Sequence, residues 1–453
     1  MDPKERENLI QRYRSAVEKD WAYLKDWSAL SDSGAPLDLE RVFFRLMARP
    51  RPERKPVEPP EPELDADPKR LEAAGYPAVD REVLPPIPLG QILRETRHAV
   101  LLGEPGAGKS TTLRFIGLCF ARVEQNWHRE RLGVEEPLVP VLLRLADLHA
   151  DLGKQPPLRQ NIIDEVASRL QCNEQIAEQL VDGWMEKSLL LVLLDGLDEV
   201  PEARREGVRE AIERFAHSDR GRVIVTSRLA GFRPLTDFRE YVLKPLEDVQ
   251  TEVLPYVRGW LAAIGQDQDV KQRAQELVRA LEEHPSLRRV ANNPLLLRLA
   301  VEYYVKSKGG RLPSGRAELY EKWLEEAWKR AEERGANEER KELIFMALEA
   351  IAWGMQIGKG SDDQGIEKAI KEFAGISDKH TIEEVLRDIW KRMGLIARLP
   401  AARGDPSQAH YVFAHETVRE YLVARRLLRA WERDWVWTMA FLEPRWRTSP
   451  VPC

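Results

Sequence analysis

Three glycines, at 103, 106 and 108, run directly into Lys109, Ser110 and Thr111. The stretch reads Gly103-Glu104-Pro105-Gly106-Ala107-Gly108-Lys109-Ser110-Thr111, which satisfies the pattern G-x-x-x-x-G-K-[ST]. Glycine permits backbone torsions and a close approach that a side chain would block. Successive amides can then face one concavity at the positive end of the following helix, a cradle suited to phosphate oxygens. Lys109 brings a full charge to a β- and a γ-phosphate, the Ser110 hydroxyl can ligate Mg2+, and Thr111 is placed to reach an α-phosphate.

Two further segments suit the same chemistry. The aliphatic run Leu189 to Leu194 leads into Asp195-Gly196-Leu197-Asp198-Glu199. A buried strand that ends in Asp puts its carboxylate at the carboxyl edge of the sheet, where ligands sit in open α/β folds. Asp195 is therefore expected to support Mg2+ through water, and Asp198 or Glu199 to orient or deprotonate an attacking water. For these last two, a helix cap and a solvated charge are the structural alternative. A third run ends in Thr226-Ser227-Arg228. In P-loop proteins with an inserted strand, the strand after the acidic one lies beside the phosphate-loop strand. Arg228 is thus expected near the γ-phosphate, as a sensor of it.

These groups need a sheet to hold them. Short apolar runs at His98–Leu102, Val139–Leu145, Leu189–Leu194, Arg222–Thr226 and Tyr241–Leu243 alternate with helix-length amphipathic stretches such as Ser110–Val123 and Arg205–Ala216. That alternation predicts an α/β core with a parallel sheet covered by helices on both faces. Beyond Pro245 the pattern turns helical, over Asp248–Ile264, Val270–Glu282, Pro294–Lys306 and Ala317–Glu333. Leu319, Trp323, Leu324 and Trp328 form a core-facing stripe on the last of these. Two apolar runs, from Gly394 and from Tyr411, flank the polar loop AARGDPSQ as in a β-hairpin, with helices Thr381–Met393 before and Thr417–Ala430 after. That order predicts a winged helix. Residues 1–48 carry charge and aromatics (Tyr13, Trp21, Tyr23, Trp27) at loosely helical spacing. The proline-dense stretch from Met47 to Pro68 is expected to be an extended linker, with a loop lying on the domain surface as the alternative, and is excluded from packed strand and continuous helix.

Composition bounds the class. The chain has 453 residues, 43% of them apolar and 32% charged, with net charge −5 and a pI near 6.1. Its apolar content suffices for packed cores, and its charge balance argues against a whole-chain polyanion binder. Three scattered cysteines (Cys119, Cys172, Cys453) make neither a disulfide framework nor a zinc cluster. The charged start lacks a secretory core, and no aliphatic run approaches the ~18 residues of a membrane span. A multidomain cytoplasmic protein with no membrane partner is expected.

The ordered stretches GEPGAGKST, LLLVLLDGLDEVP, VIVTSR, ANNPLLLRLA and YVFAHETVREYLVARRL resemble the signature of NACHT NTPases, signal-transducing P-loop proteins of the STAND class related to NOD-like receptors and bacterial defence proteins. The resemblance spans about Pro85 to Ala430. Gly196 followed by a second acidic pair is its more specific mark, and PLDLERVFFRL near residue 40 is similar to the family's lead-in. It implies ATP or ADP with Mg2+, held by Gly103 to Thr111 with Asp195 behind the metal and Arg228 sensing the γ-phosphate. It also implies that Asn293-Pro294 contacts the adenine side, that Leu84 to Leu89 helps wall the adenine, and that His415 reaches the β-phosphate of ADP. The implied organisation is an N-terminal helical segment with its linker over 1–80, a nucleotide-binding core over 81–245, a helical domain over 246–310, a winged-helix domain over 311–430, and the start of a helical sensor or tail over 431–453. A slow ATPase used as a switch would self-associate when activated, in defence or stress signalling, with a separate effector or sensor protein as a further partner. The competing readings are a motor of the AAA+ kind and a winged-helix DNA-binding regulator. For the latter, Arg419, Arg425, Arg426, Arg429 and Arg433 form a phosphate footprint, but interleaved acids disfavour nucleic acid.

Overall fold

Aliphatic strands with no polar side to turn outward must be covered twice, and the centre of this chain is built that way. The computed structural model describes residues 2–24, 37–44, 47–51, 84–148, 157–200, 202–218, 221–229, 231–264, 269–307, 312–399, 410–413 and 416–430. Its strands are β1 (Tyr23–Leu24), β2 (Leu37–Asp38), β3 (Met47–Pro50), β4 (Ile87–Pro88), β5 (His98–Leu102), β6 (Val139–Arg144), β7 (Leu190–Asp195), β8 (Arg222–Ser227), β9 (Arg239–Leu243), β10 (Ile396–Leu399) and β11 (His410–Phe413). Seven of them form one sheet in the order β4-β3-β9-β5-β8-β7-β6. From β9 to β6 the pairing is parallel, while β3 and β4 run antiparallel.

Within β7, Leu191 and Leu193 join the core on one face of the sheet, and Leu190, Val192 and Leu194 join the core on the other. The first face is covered by α3 (Lys109–Ala121) together with α2 (Leu89–Glu95). The second is covered by α4 (Pro157–Leu170), α5 (Glu174–Glu186) and α6 (Glu202–His217). The predicted α/β core is therefore present, and each predicted apolar run lies on a strand of it.

The proline-dense stretch corrects one expectation. Its first four residues, Met47–Pro50, are β3, seated inside the sheet rather than in a linker. Proline costs a ladder only the one bond its missing amide would donate. Pro50 is the last residue of the strand, and the next amide, Arg51 N, again donates to Glu240 O at 2.9 Å. Ala48 is fully buried, and the Lys244 amide donates to Met47 O at 2.8 Å. The rest of that stretch, 52–83, lies outside the described residues.

The N-terminal segment is helical as its spacing predicts: α1 (Pro3–Trp21). It packs on α3 and α4 through Tyr13, Val17 and Trp21. The Tyr13 hydroxyl donates to Pro140 O at 3.0 Å, and the Trp21 indole fills the space over Gly117, where a β-carbon would lie 2.2 Å from it.

Downstream lie α7 (Leu254–Ile264), α8 (Val270–Glu283), α9 (Pro285–Ala291), α10 (Pro294–Lys306), α11 (Arg316–Glu333), α12 (Lys341–Gln356), α13 (Asp363–Ala369), α14 (Lys379–Arg387) and α15 (Glu416–Ala430). The predicted stripe of α11 is buried. Strands β10 and β11 pair antiparallel, Ile396 opposite Phe413, between α14 and α15, which gives the helix–hairpin–helix order of a winged helix. The hairpin tip, 400–409, and residues 431–453 lie outside the described residues.

Candidate nucleotide site

The strand β5 delivers Gly103 to the sheet edge, where its amide donates to Ser227 O of β8 at 3.2 Å. The Ala107 amide donates to Glu104 O at 3.1 Å and closes the turn. Gly106 (φ +80°) and Gly108 (φ +88°) hold left-handed torsions, so glycine is needed at both of these positions. Lys109 opens α3, and its Nζ donates back to Gly103 O at 2.8 Å and Glu104 O at 3.1 Å. Burial lowers the pKa of this amine; Asp198, Asp195 and Glu199 pull it back up, and Arg228 pushes it further down. Those four side chains therefore lie within electrostatic reach of the lysine. Ser110 is exposed and Thr111 half-buried on the first turn.

The acidic side is ordered by one hydroxyl. Thr226 Oγ1 donates to Asp195 Oδ1 at 2.6 Å and accepts from the Gly196 amide at 2.9 Å. Gly196 (φ +79°) then turns the chain into Leu197–Glu199. Asp198 faces Arg228: its Oδ1 accepts from the Arg228 amide at 3.0 Å and its Oδ2 lies 2.9 Å from Arg228 Nε. Glu199 lies on the other side, with Oε2 3.7 Å from Arg144 Nη2. Packing of the surrounding protein, then Asp195, Asp198 and Glu416, push its carboxyl up to about 7, and Arg144 opposes them. The side chain remains 42% exposed, so water reaches it.

Two downstream modules close on these groups. Asn293 Oδ1 caps α10 by accepting from Leu295 N (3.1 Å) and Leu296 N (3.2 Å), while its Nδ2 donates to Pro105 O at 2.8 Å. The Leu295 amide also donates to Gly106 O at 3.2 Å, and a β-carbon on Gly106 would lie 2.6 Å from Asn293 Oδ1. Pro294 stands beside this contact, its carbonyl accepting from Tyr256 Oη at 2.6 Å. From the other side, Arg228 Nη1 lies 2.5 Å from Glu420 and Nη2 lies 3.5 Å from Glu416, both on α15. Burial works against the Arg228 charge, but Glu420, Glu416 and Asp198 outweigh it and hold the pKa above the usual arginine value.

The structure thus brings together Gly103 to Thr111, Asp195, Asp198, Glu199, Arg228 and the Asn293-Pro294 corner. His415 lies outside the described residues, one position before α15 begins. Ile87 and Pro88 of the expected adenine wall form β4 at the sheet edge, with β3 and β9 between it and β5.

Sequence reasoning missed Thr226, Arg144 and the partnership of Arg228 with Glu416 and Glu420. The last had a signal: two acids four apart on a helix share a face. The same helix spends its arginines inward. Arg425 (3.0 Å) and Arg429 (3.4 Å) pair with Glu349, Arg426 donates to Phe373 O at 3.0 Å, and Arg419 binds Glu416 and Gln356. Arg433 lies outside the described residues.

Glycines that leave a concavity of amides, a lysine, a hydroxyl and a carboxylate at one sheet edge fit a nucleoside polyphosphate and its cation. Among the described residues, no group of three or more His, Cys, Asp or Glu is placed to hold a metal ion. Ser110 and Asp195 suit Mg2+ only when phosphate and water complete its oxygen shell. Among the described residues, no helix is long and apolar enough to cross a membrane.

No family model matches the chain, and no curated protein matches it. Solved structures to which it is similar include the Orc1 protein of Aeropyrum pernix in complex with DNA, 19% identical over 78% of this chain and 91% of that one, TM-score 0.29. The Drosophila ORC bound to DNA (13%, covering 82% and 96%, TM-score 0.30) and Cdc6p from Pyrobaculum aerophilum (15%, covering 82% and 97%, TM-score 0.28) are others. Likenesses this distant carry no argument. The strand order around β5 and the loop it delivers are those of a P-loop NTPase core, and that much of the chain's nature stands on its own geometry.

Proposed function

We propose that this chain is a nucleotide-dependent switch of the NACHT type within the STAND class. It holds ADP or ATP with Mg2+, and exchange of one for the other releases its C-terminal module and lets chains assemble. The observation that carries this reading is the ion-pair bridge from Arg228, beside the phosphate loop, to Glu416 and Glu420 of α15. A hydrolase without a switch has no evident use for a C-terminal helix bound to its sensor arginine.

In this reading the loop amides other than those of Gly103 and Ala107, which are bonded to Ser227 O and Glu104 O, bind the phosphates together with the Lys109 amine, and Ser110 and Asp195 would hold Mg2+, which shields the phosphate charge. Thr226 keeps Asp195 in place. Asn293 ties the helical module to the loop, so movement at the phosphates is felt in α10. His415 is assigned to the β-phosphate by resemblance, and the division into a core over 81–245, a helical domain over 246–310 and a winged-helix domain over 311–430 belongs to the same proposal. A charge-assisted hydrogen bond contributes about 1.5–3 kcal/mol, whereas reversing a 99:1 equilibrium takes about 5.5 kcal/mol. The Arg228 bridge thus supplies part of the closing energy, and burial of Leu422 and Val423 of α15 supplies more. Assembly with a separate effector or sensor, in defence or stress signalling, follows from the resemblance.

One observation favours a second reading, a turning-over ATPase. Glu199, near 7 and open to water, suits a general base. Mass analysis of the nucleotide that co-purifies with the full chain, followed by native sizing with ADP and with a non-hydrolysable ATP analogue, separates the two. The switch predicts retained ADP, a single chain with ADP, a larger species with the analogue, and loss of nucleotide in Lys109→Ala. Turnover of several per second without change of size favours the motor, and a wild-type chain that binds neither nucleotide overturns both.

A further inference from the structure

Every nitrogen of the Arg228 guanidinium faces a carboxylate: Nε faces Asp198 at 2.9 Å, Nη1 faces Glu420 at 2.5 Å and Nη2 faces Glu416 at 3.5 Å. Only the first of these acids belongs to the nucleotide core. The other two arrive from α15, nearly two hundred residues downstream. The cluster is enclosed, with Arg228 20%, Glu416 25% and Glu420 28% exposed, so its charges are only weakly screened. The two α15 acids are not equivalent. Glu416 is shared with Arg419 on its own helix, whereas Glu420 makes the shorter contact with Arg228. Arg228 follows Ser227, whose carbonyl accepts from the Gly103 amide at 3.2 Å, so on the nucleotide reading Arg228 and Lys109 are cations placed toward the end of a bound polyphosphate.

We propose that Glu420, assisted by Glu416, is a specificity-determining residue of the nucleotide site. Its carboxylate occupies the anion-binding edge of Arg228, so the closed chain accepts a nucleoside diphosphate and rejects a triphosphate. The inference rests on the nucleotide reading above and names what discriminates within it. A diphosphate ends at the amide cradle and Lys109 and makes no demand on Arg228. A triphosphate adds a terminal dianionic group that needs Arg228 and meets the negative charge of α15 instead. Like charges brought together in an enclosed site are strongly unfavourable, and exchanging carboxylate for phosphate on the arginine requires α15 to leave. Thus α15 is held by the same guanidinium that a triphosphate would claim, and the choice of nucleotide and the position of the helix become one equilibrium.

The test measures ADP and non-hydrolysable ATP-analogue affinities on the full chain with Mg2+, by calorimetry after removal of retained nucleotide. Wild type is expected to prefer ADP. Glu420→Gln keeps the shape and removes the charge, and it should shift the ratio of the two dissociation constants toward the triphosphate by about tenfold. Glu416→Gln should shift it less, and the double variant more than either. Glu420→Asp keeps the charge and should retain the ADP preference, which a purely structural role for Glu420 would not predict. Melting without nucleotide confirms that each variant folds, and Glu416→Gln carries the test if Glu420→Gln does not. A ratio that moves less than about twofold in folded Glu420→Gln and in the double variant overturns the inference while leaving nucleotide binding intact. A wild-type chain that binds neither nucleotide overturns the underlying reading and this inference with it.

Discussion

Glu199 holds its proton more tightly than an ordinary carboxyl does. Its carboxyl is raised to about 7 from an ordinary value of 4.5, through packing and the Asp195 and Asp198 carboxylates beside it, with Arg144 too distant at 3.7 Å to cancel them. A raised acid binds its proton more tightly when the chain is folded, so folding takes up a proton between pH 4.5 and 7. Stability therefore falls as pH rises through that window, and the full cost is present above it. Glu199→Gln removes the titration. Compared with wild type, its melting temperature is expected to gain about 2 °C in going from pH 5 to pH 8. Nucleotide hydrolysis, whatever its basal rate, should drop about a hundredfold or more in the variant. A melting difference that stays flat with pH would show that the carboxylates do not crowd one another. Asp198 is the contrasting neighbour: both its oxygens are committed to Arg228, which suits it to positioning rather than proton transfer.

Elements differ in how visibly they were written in the chain. β5, β7 and β8 were legible because each is a run of aliphatic residues buried on both faces, and the chemistry follows each run directly at Gly103, Asp195 and Arg228. The start of α10 was legible as Asn293-Pro294, a cap followed by proline in the first turn. What could not be read is that the same asparagine spends its amide on Pro105, because a contact across 188 residues leaves no local pattern. The two roles can be separated. Asn293→Ala loses the cap and the tie to the loop, about 1 kcal/mol each and about 2 kcal/mol together. Asn293→Ser restores the cap without the reach and should recover about half of that in urea denaturation followed by tryptophan fluorescence. Both variants should release bound nucleotide faster than wild type. If serine fares no better than alanine, the cap contributes nothing and the loop contact carries the whole effect.

At the scale of the molecule, the N-terminal segment and the start of the proline-dense stretch are built into the core. Tyr13, Val17 and Trp21 recur every fourth residue, yet charged neighbours thin the stripe, and β3 is four residues with a proline at its end. Neither signal is strong locally, since both depend on partners far along the chain: α1 lies on the helix that leaves the phosphate loop, and β3 pairs with β9, the neighbour of β5. Arg122, at the end of α3, binds Glu18 at 2.8 Å and Glu40 at 3.2 Å, which ties both pieces of the N-terminal segment to the same helix. A chain begun at residue 52 would lose β3, leaving β9 and β4 with open edges, and would bare the apolar surfaces of α3 and α4. Such edges and patches favour aggregation. The expected outcome is an insoluble product, whereas a true appendage could be removed with melting temperature and nucleotide retention unchanged. Trp21→Ala asks the same question within the intact chain. The indole is 3% exposed and sits where Gly117 leaves room for it, so its loss should cost about 3 kcal/mol or more. Because the cavity opens against α3, nucleotide retention should fall along with stability. A variant that loses stability but keeps wild-type retention would mean that α1 supports the fold without reaching the phosphate loop.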